Sequence, residues 1–286
     1  HMYKGRVFVI KAGGGAFRDA GTMRAFVEQV TILHHLGIRV VLVHGGGPQL
    51  DDVTAKLGVQ TRMVQGRRVT DASAIDAISM VLNGLINTQL VALCRSFGIS
   101  AIGIGGIDGG LVQAHRRAPV TLASGEVVDY GLVGDIDGID GSVITRLLDS
   151  GFLPVVSPLS CDATGQLLNI NADTVAAAIG GALVAEKLIL CTGAPGILER
   201  VDDPQSLISY TDLAGLHRLR EKGAITDGML PKSSAIEAAI RGGVRRVHVI
   251  SYAETDSLLA EIFTNEGKGT LVVADTKALT AAEQGQ

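Results

Sequence analysis

The sequence predicts an α/β fold in which a parallel sheet is covered by helices on both faces. Short, almost wholly apolar runs rich in Val, Ile and Leu recur along the chain, as expected of strands that are buried on both sides. Stretches with the helical spacing of apolar positions alternate with these runs. Strands and helices that alternate in this way are typical of a parallel sheet between two layers of helices.

The predicted elements follow from these patterns in chain order. The predicted strands are residues 6–11, 39–44, 100–105, 152–157, 187–192, 245–251 and 269–273. The clearest predicted helices are residues 19–36, 71–97, 173–184 and 229–241. Residues 111–132 break the pattern, since apolar residues alternate there around a Gly125-Glu126 turn, and this predicts a β-hairpin insertion.

Composition narrows the possible functions. The 286 residues, 47% of them hydrophobic, can form a large core, and a net charge of −4 gives no overall attraction to nucleic acid or to anionic membranes. The apolar runs are shorter than the ~20 residues of a bilayer span. Cys94, Cys161 and Cys191 lie far apart without zinc-site spacing, which indicates free thiols and no metal site in the protein. We therefore expect a cytoplasmic protein without nucleic-acid or membrane partners.

The first candidate motif is Lys11-Ala12-Gly13-Gly14-Gly15, at the end of the first predicted strand. Ligands gather at the carboxyl ends of parallel strands. Glycines let backbone N–H groups close around an anion, and an adjacent lysine adds a mobile positive charge. A tight strand-to-helix turn with a surface lysine is the structural alternative.

A second motif, His44-Gly45-Gly46-Gly47-Pro48, repeats this arrangement at the end of the second predicted strand. Two glycine-rich anion cradles on strands that could be neighbours suggest one ligand with several negative groups. We interpret His44, behind an apolar strand, as a buried hydrogen-bonded residue.

Two further motifs precede predicted helices. In Gly66-Arg67-Arg68-Val69-Thr70-Asp71, an arginine offers the planar fork that matches a carboxylate, and we interpret Arg67 as solvated. In Asn169-Ile170-Asn171-Ala172-Asp173, Asn171 is suited to cap the helix, and residues of this motif can also face a site at its N-terminus.

The fifth motif, residues 223–232, ends in Pro231 and Lys232. Proline suits the first helical turn, so Lys232 is expected near the positive end of a helix, where a lysine is unfavourable unless an anion is bound. A solvated lysine is the alternative. The chain has neither the GxGxxG fingerprint nor the GxxxxGK[ST], GxSxG or HExxH motifs, which argues against standard dinucleotide sites, P-loops, serine hydrolases and zinc proteases.

These five motifs, in this order, resemble the amino-acid kinase family over nearly the whole chain. The matching stretches are KxGG at Lys11, HGGGPQ at residues 44–49, GRRVTD around Arg68, VLNGLIN at 81–87, NINAD at 169–173, ITDGMLPK ending at Lys232, and LLAEIFTNEGKGT at 258–270.

The resemblance implies an open three-layer αβα sandwich with a mainly parallel central sheet. Residues 3–180 are expected to form an N-terminal lobe that binds an acyl amino acid and mediates dimerisation. Residues 181–275 are expected to form a C-terminal lobe that binds ATP, and residues 276–286 a loose tail.

The function that the resemblance implies is phosphoryl transfer from ATP, with Mg2+ carried by the nucleotide phosphates, to the side-chain carboxylate of an N-acyl glutamate, above all N-acetyl-L-glutamate in arginine biosynthesis. Lys11 and Lys232 are expected to contact the transferred phosphoryl group, and Asp173 to orient both lysines. The residues expected on the substrate are Gly46, Gly47, Arg68 and Asn169, with Arg68 on the α-carboxylate. Those expected on the nucleotide are Gly13, Gly14, Thr192, Gly193, Gly196, Ile225, Gly228 and Met229.

Two departures from the family pattern stand out. Relatives usually carry an Asp where this chain has Gly193, so one contact on the nucleotide side is missing or replaced. The chain also starts almost at the first strand, without the N-terminal helix that arginine-inhibited hexameric relatives use to assemble, which favours a homodimer.

Three alternatives stay open. A sister kinase would act on another N-acylated or carrier-protein-linked glutamate or aminoadipate. A catalytically silent amino-acid sensor would bind without reacting. A nicotinamide-dependent oxidoreductase is disfavoured by the missing fingerprint.

Overall fold

The computed structural model describes residues 2–122, 124–200, 202–225, 228–264 and 267–278. Within them the strands are β1 (Val7–Ala12), β2 (Arg39–His44), β3 (Arg62–Val64), β4 (Arg67–Val69), β5 (Ala101–Gly105), β6 (Val112–Arg116), β7 (Val120–Thr121), β8 (Val127–Val128), β9 (Gly134–Ile139), β10 (Leu153–Ser157), β11 (Leu159–Cys161), β12 (Leu167–Asn169), β13 (Lys187–Thr192), β14 (Tyr210–Asp212), β15 (Arg246–Ser251) and β16 (Thr270–Val273). The α-helices are α1 (Ala20–His35), α2 (Gly47–Lys56), α3 (Ala72–Ser79), α4 (Asn87–Ser96), α5 (Gly141–Asp149), α6 (Ala172–Ala182), α7 (Leu213–Glu221), α8 (Met229–Arg241) and α9 (Ser257–Phe263).

An eight-stranded sheet organises the protein, with the strand order β14-β16-β15-β13-β1-β2-β10-β5. All neighbouring pairs run parallel except β15 and β16. The expected open αβα sandwich with a mainly parallel sheet is confirmed.

Alternation along the central strands explains the three layers. Phe8 and Ile10 of β1 belong to the core on one face of the sheet, whereas Val9 belongs to the core on the other. In the neighbouring β2, Leu42 and Val41 divide in the same way. Since successive side chains of a strand point to opposite faces, these continuous apolar runs feed both helical layers.

The seven predicted strands agree with the structure to within one residue at each end, and the long predicted helices to within about a turn. The predicted hairpin insertion is larger than residues 111–132. β6 pairs antiparallel with β9, and a small β7–β8 hairpin lies between them, so the insertion extends to Ile139.

Residues Ala72–Ser96 form one helical run, in which the π-helical turns Met80–Ile86 join α3 to α4. By length and composition alone this run could cross a membrane. Its apolar residues, among them Ile78, Leu82 and Leu90, instead pack into one of the two cores, as in the interior helix of a globular protein.

The carboxyl ends of three central strands meet at one edge of the sheet. Ala12 pairs with His44 of β2 and with Cys191 of β13. Just beyond the strands, the Gly45 N–H donates to the Ala12 carbonyl at 2.9 Å, and the Gly13 N–H to the Cys191 carbonyl at 3.4 Å. The loops that follow β1, β2 and β13 are thereby held side by side. Of the expected tail, Thr276–Ala278 form a short 3-10 turn, and its other residues lie outside the described part of the chain.

Candidate active site

Lys11, Asp173 and Lys232 form a buried cluster at this edge of the sheet. Lys11 is near the end of β1, Asp173 is in the first turn of α6, and Lys232 is one turn into α8. The Lys11 Nζ lies 2.8 Å from Asp173 Oδ1, and the Lys232 Nζ lies 3.1 Å and 3.0 Å from the two Asp173 oxygens. The relative exposures are 7%, 6% and 6% for Lys11, Asp173 and Lys232. One carboxylate therefore holds both ammonium groups.

The cluster carries a surplus positive charge. Burial alone would raise the pKa of Asp173, but the charges of Lys11 and Lys232 and their hydrogen bonds outweigh it and hold the pKa well below its usual range. Burial, followed by repulsion from Lys11, lowers the pKa of Lys232. The second lysine thus lacks a carboxylate of its own, and a bound anion would supply the missing negative charge.

The first two glycine motifs are packed against each other. A Cβ added at Gly14 would lie 2.5 Å from Gln49 Oε1, 2.8 Å from Pro48 Cδ and 2.9 Å from the Gly46 Cα. The Gln49 side chain also donates from Nε2 to the Gly14 carbonyl at 2.8 Å. Only glycine permits this approach, so the two predicted cradles form one backbone-lined wall.

Two helices start at this wall. α2 begins at Gly47, and α6 is capped by Asn171, whose side-chain oxygen accepts from the backbone N–H groups of Asp173 and Thr174. The predicted cap of α6 is confirmed. The N-terminus of a helix attracts anions through its free N–H groups and its dipole. Both helix starts therefore add to the positive potential around Lys11.

A cleft of about 330 Å³ opens beside Lys11. Among its lining residues are seven of the predicted site residues: Lys11, Gly13, Gly14, Gly46, Gly47, Arg68 and Asn169. Asp173, Lys232 and the predicted nucleotide residues after 190 are not among them. The structure thus brings the predicted substrate residues together around Lys11, next to Gly13 and Gly14, which are two of the residues expected on the nucleotide.

Polar partners position the two side chains expected on the substrate. The Arg68 guanidinium donates to Asp51 Oδ1 at 2.6 Å and to the Thr61 hydroxyl at 2.8 Å. The Arg68 side chain is only 8% exposed, whereas that of Asp51 is 63% exposed. Asn169 donates from Nδ2 to the Thr70 hydroxyl at 3.3 Å. Because Asp51 is largely solvated, a ligand carboxylate can replace it on Arg68.

Comparison with known proteins identifies the family of this chain. The model of the amino acid kinase family matches residues 6–251. The chain belongs to the amino acid kinase family. This membership excludes the nicotinamide-dependent oxidoreductase considered above.

Two acetylglutamate kinases are similar to this chain over almost their whole length. An acetylglutamate kinase of Myxococcus xanthus is 43% identical over 289 residues, which cover 99% of this chain and 94% of the relative. An acetylglutamate kinase of Symbiobacterium thermophilum is 40% identical over 95% of this chain and 92% of its own. Among solved structures, N-acetylglutamate synthase from Neisseria gonorrhoeae, complexed with coenzyme A and N-acetyl-glutamate, superposes with a TM-score of 0.82 at 26% identity. That match covers 96% of this chain but 61% of the synthase.

Thr192 and Gly193, two of the residues that the family resemblance assigns to the nucleotide, lie at the end of β13. The Thr192 carbonyl accepts from the Tyr252 N–H at 2.9 Å. A Cβ on Gly193 would lie 3.2 Å from the Tyr252 hydroxyl, which also lies against Gly15. The space of the family's usual Asp is therefore partly filled by Tyr252, a residue that sequence reasoning missed.

The remaining nucleotide candidates sit in different surroundings. Gly196 is packed against Leu207 and Thr270, and Ile225 is buried in the apolar core. Gly228 caps α8 and Met229 is its first residue. Thr226 and Asp227 of the same motif lie outside the described residues.

The structure agrees with the interpretation of His44 from the sequence, but not with that of Arg67. His44 is fully buried, and its Nε2 lies 3.1 Å from Asn87 Nδ2, which confirms its interpretation as a hydrogen-bonded interior residue. Burial lowers the pKa of His44 to about 4, so it is neutral near pH 7. Arg67 is a correction: it is partly buried and lines the cleft, so its interpretation as a solvated residue is wrong. The distant segments that cover it give no local sequence signal.

In the described part of the chain, no group of three His, Cys, Asp or Glu side chains could hold a metal ion. The cations of the site are side-chain ammonium and guanidinium groups. These groups suit a ligand that brings its own anions.

Proposed function

We propose that the protein transfers the terminal phosphoryl group of ATP to the side-chain carboxylate of N-acetyl-L-glutamate, which gives an acyl phosphate and ADP in arginine biosynthesis. The observation that carries this proposal is the convergence of Lys11 and Lys232 on Asp173, beside a glycine-lined cleft. The acetylglutamate kinases that share 40% or more of their residues with the chain support the choice of substrate.

The chemistry needs few groups. A carboxylate is already a nucleophile, so no general base is required, and catalysis depends on alignment and on neutralising charge on the transferred group. Lys11 and Lys232 supply two positive charges against the single charge of Asp173. Asp173 holds both ammonium groups in place before the substrates bind, so little reorganisation is needed during transfer.

Each half of the molecule has its own task in this proposal. Residues 3–180 bind the acyl glutamate, with Arg68 on its α-carboxylate and Asn169, Gly46 and Gly47 around it. Residues 181–275 bind the nucleotide at the end of β13 and the start of α8, and Gly13 and Gly14 close over its phosphates.

ATP brings Mg2+ on its phosphates, where the ion screens their charge. The glycine backbone at Gly13 and Gly14 lines the cleft beside Lys11, so phosphate groups can approach it without a side chain in the way. We further propose that the protein acts as a cytoplasmic homodimer.

Substituting the two lysines tests the proposal. ATP and N-acetyl-L-glutamate are incubated with hydroxylamine, which traps the acyl phosphate as a hydroxamate. We expect Lys11→Ala and Lys232→Ala each to lower kcat by about a hundredfold, since removal of one well-aimed donor costs ~3 kcal/mol of transition-state stabilisation. ATP binding, followed by calorimetry, should persist in both variants.

Lys56→Ala is the matched control, because Lys56 is exposed at the end of α2. It should retain wild-type turnover. Absence of hydroxamate with the wild-type protein would refute the proposed activity, and wild-type kcat in either of the two lysine variants would refute the role of that lysine.

A further inference from the structure

Arg67 occupies one wall of the substrate cleft. It is the first residue of β4 and faces Val64 across a hairpin whose turn, Gln65-Gly66, has positive φ at both positions. Met63, Gly66, Arg67 and Arg68 of this hairpin all line the cleft. The hairpin therefore places two consecutive arginines at the cleft.

The Arg67 guanidinium makes no hydrogen bond or ion pair with any residue in the described ranges, although Arg67 is partly buried. Among the groups that act on its charge, Arg117 repels it, whereas Asp135 and Tyr130 favour the charged form. Asp135 is already engaged, because both its oxygens accept from the Arg117 Nε, at 3.1 and 3.0 Å, and one also accepts from Nη2. Two guanidinium groups thus share one carboxylate, and Arg67 is the one left over.

Burial first, and then repulsion from Arg117, lowers the pKa of Arg67. The direction agrees with the geometry: the fold partly desolvates this charge without giving it a counterion. Such a position is costly unless a ligand supplies the negative group.

Arg68 differs from Arg67 in its ion pair and in the side of β4 to which it points. It is paired with Asp51, and it points to the opposite side of β4, since consecutive residues of a strand alternate. A ligand whose α-carboxylate lies on Arg68 cannot satisfy Arg67 with the same group. Its side-chain carboxylate is directed to Lys11, which leaves the N-acyl group as the part of the ligand nearest to Arg67.

We propose that Arg67 is a specificity-determining residue that binds a negative charge at the end of the acyl group, so that the preferred substrates are N-acyl glutamates derived from dicarboxylic acids. This inference rests on the proposed function and narrows its substrate class. Val133 completes the wall beside Arg67 and provides an apolar contact for the methylene groups of such an acyl chain.

Three substrates separate charge from size: N-succinyl-L-glutamate, the same compound with the terminal carboxylate of the succinyl group converted to a carboxamide, and N-acetyl-L-glutamate. Each is assayed by hydroxamate formation at one ionic strength with the wild-type protein, Arg67→Leu, Arg67→Lys and Arg62→Leu. Arg62 is the matched control, because it lies on the same hairpin but pairs with Glu126 on the exposed surface.

In the wild-type protein, kcat/KM for the succinyl compound should exceed that for its carboxamide by at least about tenfold, as expected of a charge-assisted hydrogen bond. This ratio should fall to near one in Arg67→Leu, take an intermediate value in Arg67→Lys and stay at the wild-type value in Arg62→Leu. Because the ratio compares kcat/KM for two substrates of the same variant, a loss of folded protein lowers both values equally and cancels.

The inference is overturned if the wild-type protein phosphorylates N-acetyl-L-glutamate but shows no preference for the charged acyl group, or if Arg67→Leu retains that preference. In both cases the proposed kinase activity stands. If the wild-type protein phosphorylates none of the three compounds, the proposed function itself fails, and the inference fails with it.

Discussion

At the scale of single residues, Asp173 is the centre of the site. It is the carboxylate in contact with both Lys11 and Lys232, and all three side chains are almost completely buried. A buried ion pair contributes little net stability, yet removal of one partner leaves a desolvated charge. Two desolvated ammonium groups depend on this single carboxylate.

Asp173→Asn keeps the shape of the side chain but removes this charge. We expect the free energy of unfolding, measured by urea denaturation, to fall by about 3–5 kcal/mol, because both lysines lose their counterion. Adding Lys232→Met to this variant should restore part of the loss, since one of the two buried cations is then gone. Asp129→Asn is the control: Asp129 pairs with Arg116 at the exposed surface, and its loss should matter little. A fully stable Asp173→Asn protein would contradict the described charge arrangement.

At the scale of elements, the two glycine loops form one structure. The Gly45 N–H bonds to Ala12, and Gln49 bonds to Gly14, so the loops after β1 and β2 are fixed to each other. Movement of either loop would change the direction of the backbone N–H groups at the cleft.

Gly14→Ala tests this coupling. The new Cβ would meet Gln49, Pro48 and Gly46 within 3 Å, partly through backbone that cannot move freely. We expect kcat/KM to fall by on the order of a hundredfold, the usual effect of displacing positioning groups by about 1 Å. Gly84→Ala is the matched control, because no atom lies within 4 Å of its added Cβ. Equal activity of the two variants would show that the loops move independently.

The elements also show how far sequence reasoning reaches. Buried strands such as β2 and β13 were predicted to the residue, since their apolar runs are long, continuous and bounded by turns. The short helices α5, α7 and α9 were not predicted, because one face of a helix of seven to nine residues gives a weak periodic signal.

The site was predictable only in part, because some of its residues are neighbours in space but far apart in the sequence. The glycine motifs at the strand ends could be recognised from their residue types. Lys11 and Lys232 were placed in one site only because the order of the motifs resembles that of the family. The neighbours of Arg67 and Gly193 were not visible from the sequence. Asp135 and Tyr252 lie about 60 residues or more further along the chain, and no local pattern connects such positions.

At the scale of the whole molecule, buried histidines lie on both sides of the central strand β1. His44 is on β2, and His248 is on β15 with Lys187 and Glu261 at its two ring nitrogens. Burial lowers the pKa of each histidine to about 4, and in His248 the charge of Lys187 adds to this effect. The folded protein thus keeps both rings neutral at a pH where the unfolded chain binds protons.

This arrangement predicts a stability that falls in mild acid. Each pKa drops from 6.5 in the unfolded chain to about 4 in the fold. The contribution of each histidine to the free energy of unfolding is therefore fully present above pH 6.5. It is lost as the pH falls towards 4, by roughly 3 kcal/mol for each histidine. Urea denaturation across this range measures the loss. His44→Gln should flatten the profile by about half, whereas His115→Gln, which removes a pair with Asp137 at the exposed surface, should have little effect. A wild-type profile that stays flat between pH 6.5 and 4 would contradict the neutral state of both buried rings. If the rings stay neutral in the folded protein, proton uptake by the unfolded chain must lower the free energy of unfolding.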